Sequence, residues 1–289
     1  MASLRDIRRR IRSVGNTKQI TRAMQMVSAA RMRRARVLAS ATRPFGERLR
    51  EVLRTVTARV KEYRHPLLYQ REGKRAVLIL ITSDRGLCGA LNSNVIRAAQ
   101  QQMRREAYGG YKIIAIGRKG RDFARRMGIE VLAEVTDLGE RPSFASVQPA
   151  IEAATGAFLG DRADVVVVAY ARYVSAMVQN PQVFNLIPVV PAQAEAAAAG
   201  LGDYIYEPDA QSVLDQLLPR YVDSQVFEAV VENLASEHSA RMLAMRNATE
   251  NAAELIERLT LSANKLRQAN ITKELMEIIG GAEALTQAS

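Results

Sequence analysis

The chain has 289 residues, 48% hydrophobic, 25% charged and 5% aromatic, with a formal net charge of +11, enough length for one large or two modest cores. Tryptophan is absent and aromatics are sparse, which counts against a base-stacking nucleic-acid surface. The lone cysteine, Cys88, excludes an intrachain disulfide and a cysteine-built zinc site, and no apolar run approaches the roughly 18–20 residues of a membrane-spanning helix.

Charge is distributed unevenly along the chain. Residues 1–75 hold 21 basic and 5 acidic side chains, a net +16, and the remainder holds 20 and 25, a net −5. Between Asp6 and Glu47 there is no acidic residue at all, against eleven Arg and Lys. A cationic element of this kind needs an anionic counterpart: nucleic acid, a membrane surface or an acidic protein. The Arg-rich, acid-poor start imitates a transit peptide, but its helical pattern runs on for more than fifty residues and is read as structure.

Residues 4–60 read as one helix. Leu4, Ile7, Ile11 and Val14 step by 3, 4 and 3, and Leu38, Ala41, Phe45, Leu49, Val52 and Val56 resume the stripe. Gly15-Asn16 interrupts it, the glycine costing about 1 kcal/mol relative to alanine. A helix of that length spans on the order of 80 Å.

From residue 76 the period changes. Ala76–Ile81, Lys112–Ile116, Ile129–Val135 and Asp164–Ala171 read as strands, alternating with helical stretches near 92–107, 119–127 and 144–159. Such alternation of apolar strands with helices predicts a mostly parallel sheet covered on both faces. Val183–Val190 is a candidate further strand, and 191–202 reads as the exit linker.

Residues 209–280 turn helical again, with Pro219 setting the expected start of the long helix. Met245, Ala248, Ala252, Leu255, Leu259, Ser262, Leu266 and Ala269 step by 3 and 4, with small residues that let a partner helix approach. The expected fold is therefore α/β: a long antiparallel coiled coil of N- and C-terminal helices plus a central Rossmann-like α/β domain. The domain expectation is 1–75 for the N-terminal coiled-coil helix, 76–200 for the α/β domain, and 201–289 for the C-terminal helix that pairs with residues 1–60.

Chemical motifs are few. The run Thr82–Gly89 lies between a strand and a helix, where α/β folds place phosphate loops, yet neither G-x-G-x-x-G nor G-x-x-x-x-G-K-[ST] is present. Gly117 and Gly120 form a second tight turn. Cys88 reads as a small buried hydrophobe, since the histidines His65 and His238 lie on other segments and nothing points to a dyad. His238 reads as a packed seam residue, and the methionines Met24, Met26, Met32, Met242 and Met245 mostly as soft seam filler. No metal-ligand spacing appears and no cofactor is expected. The cluster Arg31-Met32-Arg33-Arg34-Ala35-Arg36 is different, because single-sign charge is repulsive unless an anion meets it.

Taken together, these segments resemble one family, the gamma subunits of F-type ATP synthase. The resemblance rests on Ile20-Thr21-Arg22-Ala23-Met24-Gln25-Met26-Val27 with the basic cluster behind it, and on Ser83-Asp84-Arg85-Gly86-Leu87-Cys88-Gly89. It rests further on Tyr204-Ile205-Tyr206-Glu207-Pro208, Glu232-Asn233-Leu234-Ala235-Ser236-Glu237 and Ile271-Thr272-Lys273-Glu274-Leu275. It covers almost the whole chain.

The resemblance implies a non-catalytic rotor: a coiled coil standing inside a ring of alpha and beta subunits and coupling ion-driven rotation of a membrane c-ring to ATP synthesis or hydrolysis on beta. It implies that Met24, Arg31, Arg33, Arg34, Arg36, Arg85 and Cys88 lie near an acidic lever of beta, and that Arg267, Gln268 and Thr272 contact a beta loop. Tyr204, Tyr206 and Glu207 would meet epsilon and the c-ring. The implied location is the cytoplasmic face of a bacterial plasma membrane, reached through the complex. A single cysteine rules out the regulatory cysteine pair of photosynthetic members. Two rivals are weighed beside it: a cationic coiled-coil nucleic-acid-binding protein, with steep salt dependence, and a doubly wound enzyme with a ligand at the strand carboxyl ends.

Overall fold

The computed structural model describes residues 3–59, 65–108, 110–190 and 209–287. The chain divides into two compact units, Met1–Val27 with Ala244–Ser289, and Ser28–Leu243. Its elements in chain order are α1 (Leu4–Arg59), a short 3-10 turn (Pro66–Leu68), β1 (Arg75–Ile81), α2 (Leu91–Arg105), β2 (Gly110–Ile116), α3 (Arg118–Arg126), β3 (Val131–Val135), α4 (Phe144–Leu159), β4 (Val165–Tyr173), β5 (Gln179–Ile187) and α5 (Ala210–Gln287).

In the unit 28–243, five strands form one sheet in the order β3-β2-β1-β4-β5. β1 pairs in parallel with both β2 and β4, β2 with β3, and the last strand returns antiparallel to β4. β1 is buried from Ala76 to Ile81 because both sheet faces are covered. Its alternate residues divide the core: Ala76, Leu78 and Leu80 meet Leu91, Val95, Ala99 and Met103 of α2 and Ala124 of α3. Val77, Ile79 and Ile81 meet Val147, Ile151 and Phe158 of α4, Leu218, Val222 and Val226 of α5, and Leu53 and Val56 of α1. Each of the Val, Leu, Ile, Phe and Met side chains among them contributes about 1.5–3 kcal/mol of burial. The lower part of the long helices thus forms one layer of the α/β sandwich.

Every buried residue among the described side chains of α1 falls on one heptad lattice: Ile7, Thr21, Ser28, Met32, Ala35, Gly46, Leu49, Leu53 and Val56. Ala39 and Thr42 fill its remaining steps between Ala35 and Gly46, while Ala41 and Phe45, expected on the stripe, are exposed. The seam was disguised because small and polar residues face the partner there. Thr42 can be enclosed because its hydroxyl donates to the Leu38 and Ala39 carbonyls. Gly15 does not break the helix, which runs through it from Leu4 to Arg59.

The α5 stripe is corrected in the same way. Met245, Ala252 and Ala263 are buried, and Thr249, Ile256, Leu259 and Leu266 half-buried, giving unbroken steps of 4 and 3. The expected Leu255, Ser262 and Ala269 lie one residue off this line and are exposed. Nor does α5 wait for Pro219: it starts at Ala210, where Asp209 accepts from the Gln211 and Ser212 amides. Pro219 is exposed while Leu218 and Val222 beside it are fully buried, so packing offsets the lost helical bond.

Rungs between the helices run in opposite directions along the two chains. Arg43 Nη2 donates to Glu232 Oε1 at 3.1 Å and Arg50 Nη2 to Glu228 Oε2 at 3.0 Å, so the pairing is antiparallel. Within the other unit, the hydroxyls of Thr21 and Thr249 meet at 2.7 Å.

One backbone position controls the carboxyl edge of the sheet. Gly117, after β2, has φ +97°, and a Cβ there would sit 2.1 Å from the Thr82 carbonyl oxygen. Gly117→Ala is expected to cost about 3 kcal/mol through backbone strain and clash, read as a lowered urea midpoint of the purified chain. An unchanged midpoint would contradict this packing.

Candidate functional site

The loops after β1, β2 and β3 meet at the carboxyl edge of the sheet, around a cleft of about 310 Å³ that α5 and Arg31 of α1 also line. In doubly wound folds this edge holds ligands, with phosphates on free helix amides. Here the chain fills those positions itself. Asp84 accepts from the Arg118 amide at 3.0 Å and from the Asp137 amide at 3.0 Å. Lys119 donates its amide to the Ser83 carbonyl at 3.1 Å, and Gly120 its amide to Thr82 Oγ1 at 2.7 Å. The first turn of α3 therefore has no amide left for a phosphate. A hydrogen bond from Arg118 holds Asp137 below the usual carboxylate range and ties down the third loop.

α5 locks the first loop from the other side. Arg241 donates to the carbonyls of Arg85 at 3.2 Å and Gly86 at 3.3 Å and pairs with Glu237 at 2.7 Å. Burial pushes the Glu237 carboxyl up, and Arg241 opposes that shift. Asn233 accepts from the Ala171 amide and Ser236 donates to the Ala171 carbonyl, stitching α5 to β4. Glu237 and Arg241 are a helical i,i+4 pair, the one signal in the sequence that points to this clamp.

The expected contact residues separate into three groups. Arg31 and Arg34 are engaged within the chain: Arg31 Nε lies 2.8 Å from Glu140 Oε1, and Arg34 Nη1 lies 3.2 Å from Glu140 Oε2. Arg33, Arg36 and Arg85 are exposed, and among the described residues none of them forms an ion pair. Cys88 is the exception in kind. Its side chain is buried, 3.4 Å from Asn92 Nδ2 and 3.7 Å from Ser83 Oγ. The reading of Cys88 as a small buried hydrophobe is borne out, and it anchors the exposed loop Arg85–Leu87 from inside.

In the other unit, Met24 is half-buried, and Arg267, Gln268 and Thr272 are exposed. Thr272 Oγ1 donates to the Gln268 carbonyl. Past the seam, Ile271, Leu275, Met276, Ile278 and Ile279 are all exposed, more apolar surface on one helix end than a solvated helix carries. Tyr204, Tyr206 and Glu207 lie outside the described residues. Among the described residues no group of three His, Cys, Asp or Glu is placed to hold a metal, and no helix is long and apolar enough to cross a membrane.

A family model described as ATP synthase matches residues 3–285. The ATP synthase gamma chain of Pelotomaculum thermopropionicum is 46% identical over 285 residues, covering 99% of this chain and 100% of that one. That of Ralstonia nicotianae is 45% identical over 291 residues, with the same coverage. Among solved structures, a chain of the Euglena gracilis mitochondrial ATP synthase (OSCP/F1/c-ring, rotational state 3) superposes with a TM-score of 0.67 at 22% identity, covering 98% of this chain and 94% of its own. A chain of the Tetrahymena thermophila mitochondrial ATP synthase central stalk and c-ring gives 0.58 at 22%, covering 79% and 99%. Those two likenesses concern the fold. None of these relatives supports the nucleic-acid reading.

His238 gives the site a pH signature. Burial, reinforced by Arg241 and Arg31 and opposed by Glu140, holds it down at about 4 from 6.5. The unfolded chain takes up this proton near its ordinary value and the folded chain only near 4, so stability is lost as pH falls through that window, by about 3 kcal/mol. Relative to His238→Gln, the natural chain is expected to lose that much unfolding free energy between pH 7 and pH 4 in urea titrations. A difference equal at both pH values would contradict the burial of a neutral imidazole.

Proposed function

The chain belongs to the ATP synthase gamma chain family, and we propose that it acts as the central-stalk rotor of an F-type ATP synthase. It is not a catalytic subunit. Its partners in this reading are the alpha and beta subunits around the coiled coil, and epsilon and the c-ring at the α/β domain. It lies peripherally at the cytoplasmic face of a bacterial plasma membrane and reaches the membrane through the complex. The proposed domain roles keep the earlier divisions: 1–75 and 201–289 as the paired shaft, 76–200 as the α/β base.

The observation that carries the reading is the single seam of α1. Because all its buried residues among the described side chains share one line, the rest of the helix surface is left exposed, and it bears Arg33 and Arg36 without internal partners among the described residues. The exposed apolar end of α5 supplies a second surface in need of cover. A shaft with different sides makes different contacts with three copies of one subunit, biasing each copy to a different conformation. Driving a site from mostly open to mostly closed takes on the order of 5 kcal/mol of differential contact. A paired helix transmits such a load better than a lone one.

In this account Met24, Arg31, Arg33, Arg34, Arg36 and the Arg85 loop anchored by Cys88 face an acidic lever segment of beta. Arg267, Gln268 and Thr272 meet a beta loop, and Tyr204, Tyr206 and Glu207 meet epsilon and the c-ring. The test is reconstitution: cognate alpha and beta subunits with and without this chain, assayed for complex formation and ATP hydrolysis. The expected result is a stable complex of three alpha, three beta and one copy of this chain, with strongly raised hydrolysis; failure to form it overturns the reading. Arg33→Ala with Arg36→Ala should leave the chain's urea midpoint within about 0.5 kcal/mol of unchanged, while proton pumping per ATP hydrolysed falls. Unchanged pumping would contradict the role given to the basic cluster.

A further inference from the structure

The acid-free stretch from Asp6 to Glu47 acquires a carboxylate from elsewhere in the chain. Glu140 lies in the loop between β3 and α4, and each of its oxygens takes one arginine of the basic cluster, Oε1 with Arg31 at 2.8 Å and Oε2 with Arg34 at 3.2 Å. Arg31 and Arg34 are three residues apart on one helix, neighbours that repel unless an anion sits between them.

The backbone, and not a wandering side chain, brings Glu140 there. Asp137 and Gly139 both have positive φ, at +59° and +71°. The Asp137 amide is tied to Asp84 at 3.0 Å, Pro142 is buried, and Ser143 caps α4 by accepting from the Ser146 amide. Loop and cluster are therefore held in register at both ends of the contact.

Exposure decides what such a contact is for. The side chains of Arg31, Arg34 and Glu140 are 36%, 64% and 40% exposed. Ion pairs that open to water contribute little net stability, because screening and side-chain entropy offset the attraction. A contact too weak to hold the fold is well suited to exchange. An incoming carboxylate can take the same two guanidinium groups at small cost.

We propose that Glu140 is a built-in counter-ion that an acidic partner segment must displace from Arg31 and Arg34, so that it limits how tightly the basic cluster holds that segment. The proposal rests on the reading of the cluster as a contact for an acidic lever. For a shaft that meets several identical levers in turn, a ceiling on affinity prevents arrest at any one of them. Arg33 and Arg36 give the initial attraction, and Glu140 sets its depth.

The test uses the full chain and a fluorescein-labelled peptide of alternating aspartate and glutamate, with affinity read by anisotropy at low salt. Glu140→Gln keeps the shape of the side chain and removes its charge; Glu72→Gln makes the same change in net charge at an exposed position away from the cluster. The expected result is binding about fivefold tighter in Glu140→Gln than in Glu72→Gln. Equal or weaker binding in Glu140→Gln overturns the proposal. Arg33→Ala with Arg36→Ala separates the two levels of the argument. If that variant binds the peptide less well while Glu140→Gln changes nothing, the counter-ion role alone fails. If it too leaves binding unchanged, the reading of the cluster fails and the proposal with it.

Discussion

Two helices at opposite ends of the chain each carry a stripe that water cannot be left to cover, and the rest of the structure follows from giving both stripes to each other. The stripe on α1 obeys one heptad lattice, so its partner must also be a helix. Antiparallel pairing brings Arg43 to Glu232 and Arg50 to Glu228. The chain between the helices must leave one and return to the other, and it does so as a sheet packed against them. Residues 222–241 of α5 are consequently buried on nearly every side, by the sheet on one face and by α1 on another.

The same packing closes the α3 end of the carboxyl edge of the sheet. A doubly wound sheet presents its carboxyl edge as a ready site, with helix amides awaiting an anion. Asp84 supplies that anion internally, and Thr82 and Ser83 take the neighbouring amides. Arg241 then fixes the loop to the long helix. Residues that in another protein would bind a ligand serve here to join the α/β domain to the shaft, which is what transmission of load through this unit requires.

Much of this was legible in the sequence. The change from helical to strand period at residue 76 located β1 to within one residue, because β-branched and aliphatic runs buried on both faces leave no ambiguity of period. The central stretch of the seam was not legible. Thr21, Ser28, Thr42 and Gly46 face inward while Phe45 and Val37 face water, so hydrophobicity alone chose the wrong line. Close approach of two helices selects small residues, and that selection hides the stripe. Proline misled for a related reason, since Pro219 costs a helical bond that Leu218 and Val222 offset by burial. Glu140 could not be foreseen at all: its meeting with Arg31 and Arg34 depends on a loop geometry that no local pattern encodes. The family motifs located the basic cluster and the Ser83–Gly89 loop but did not say which of their side chains face outward.

The central claim is that α1 and α5 move as one body within the unit of Met1–Val27 and Ala244–Ser289. The pair Thr21→Cys and Thr249→Cys tests it most directly, since the natural hydroxyls already meet at 2.7 Å and Cys88 is buried away from oxidant. In a complex reconstituted with alpha and beta subunits, rotation and ATP hydrolysis should be the same with this disulfide formed and reduced. Arrest on oxidation that reverses on reduction would mean that the helices must shift against each other, and would contradict the account.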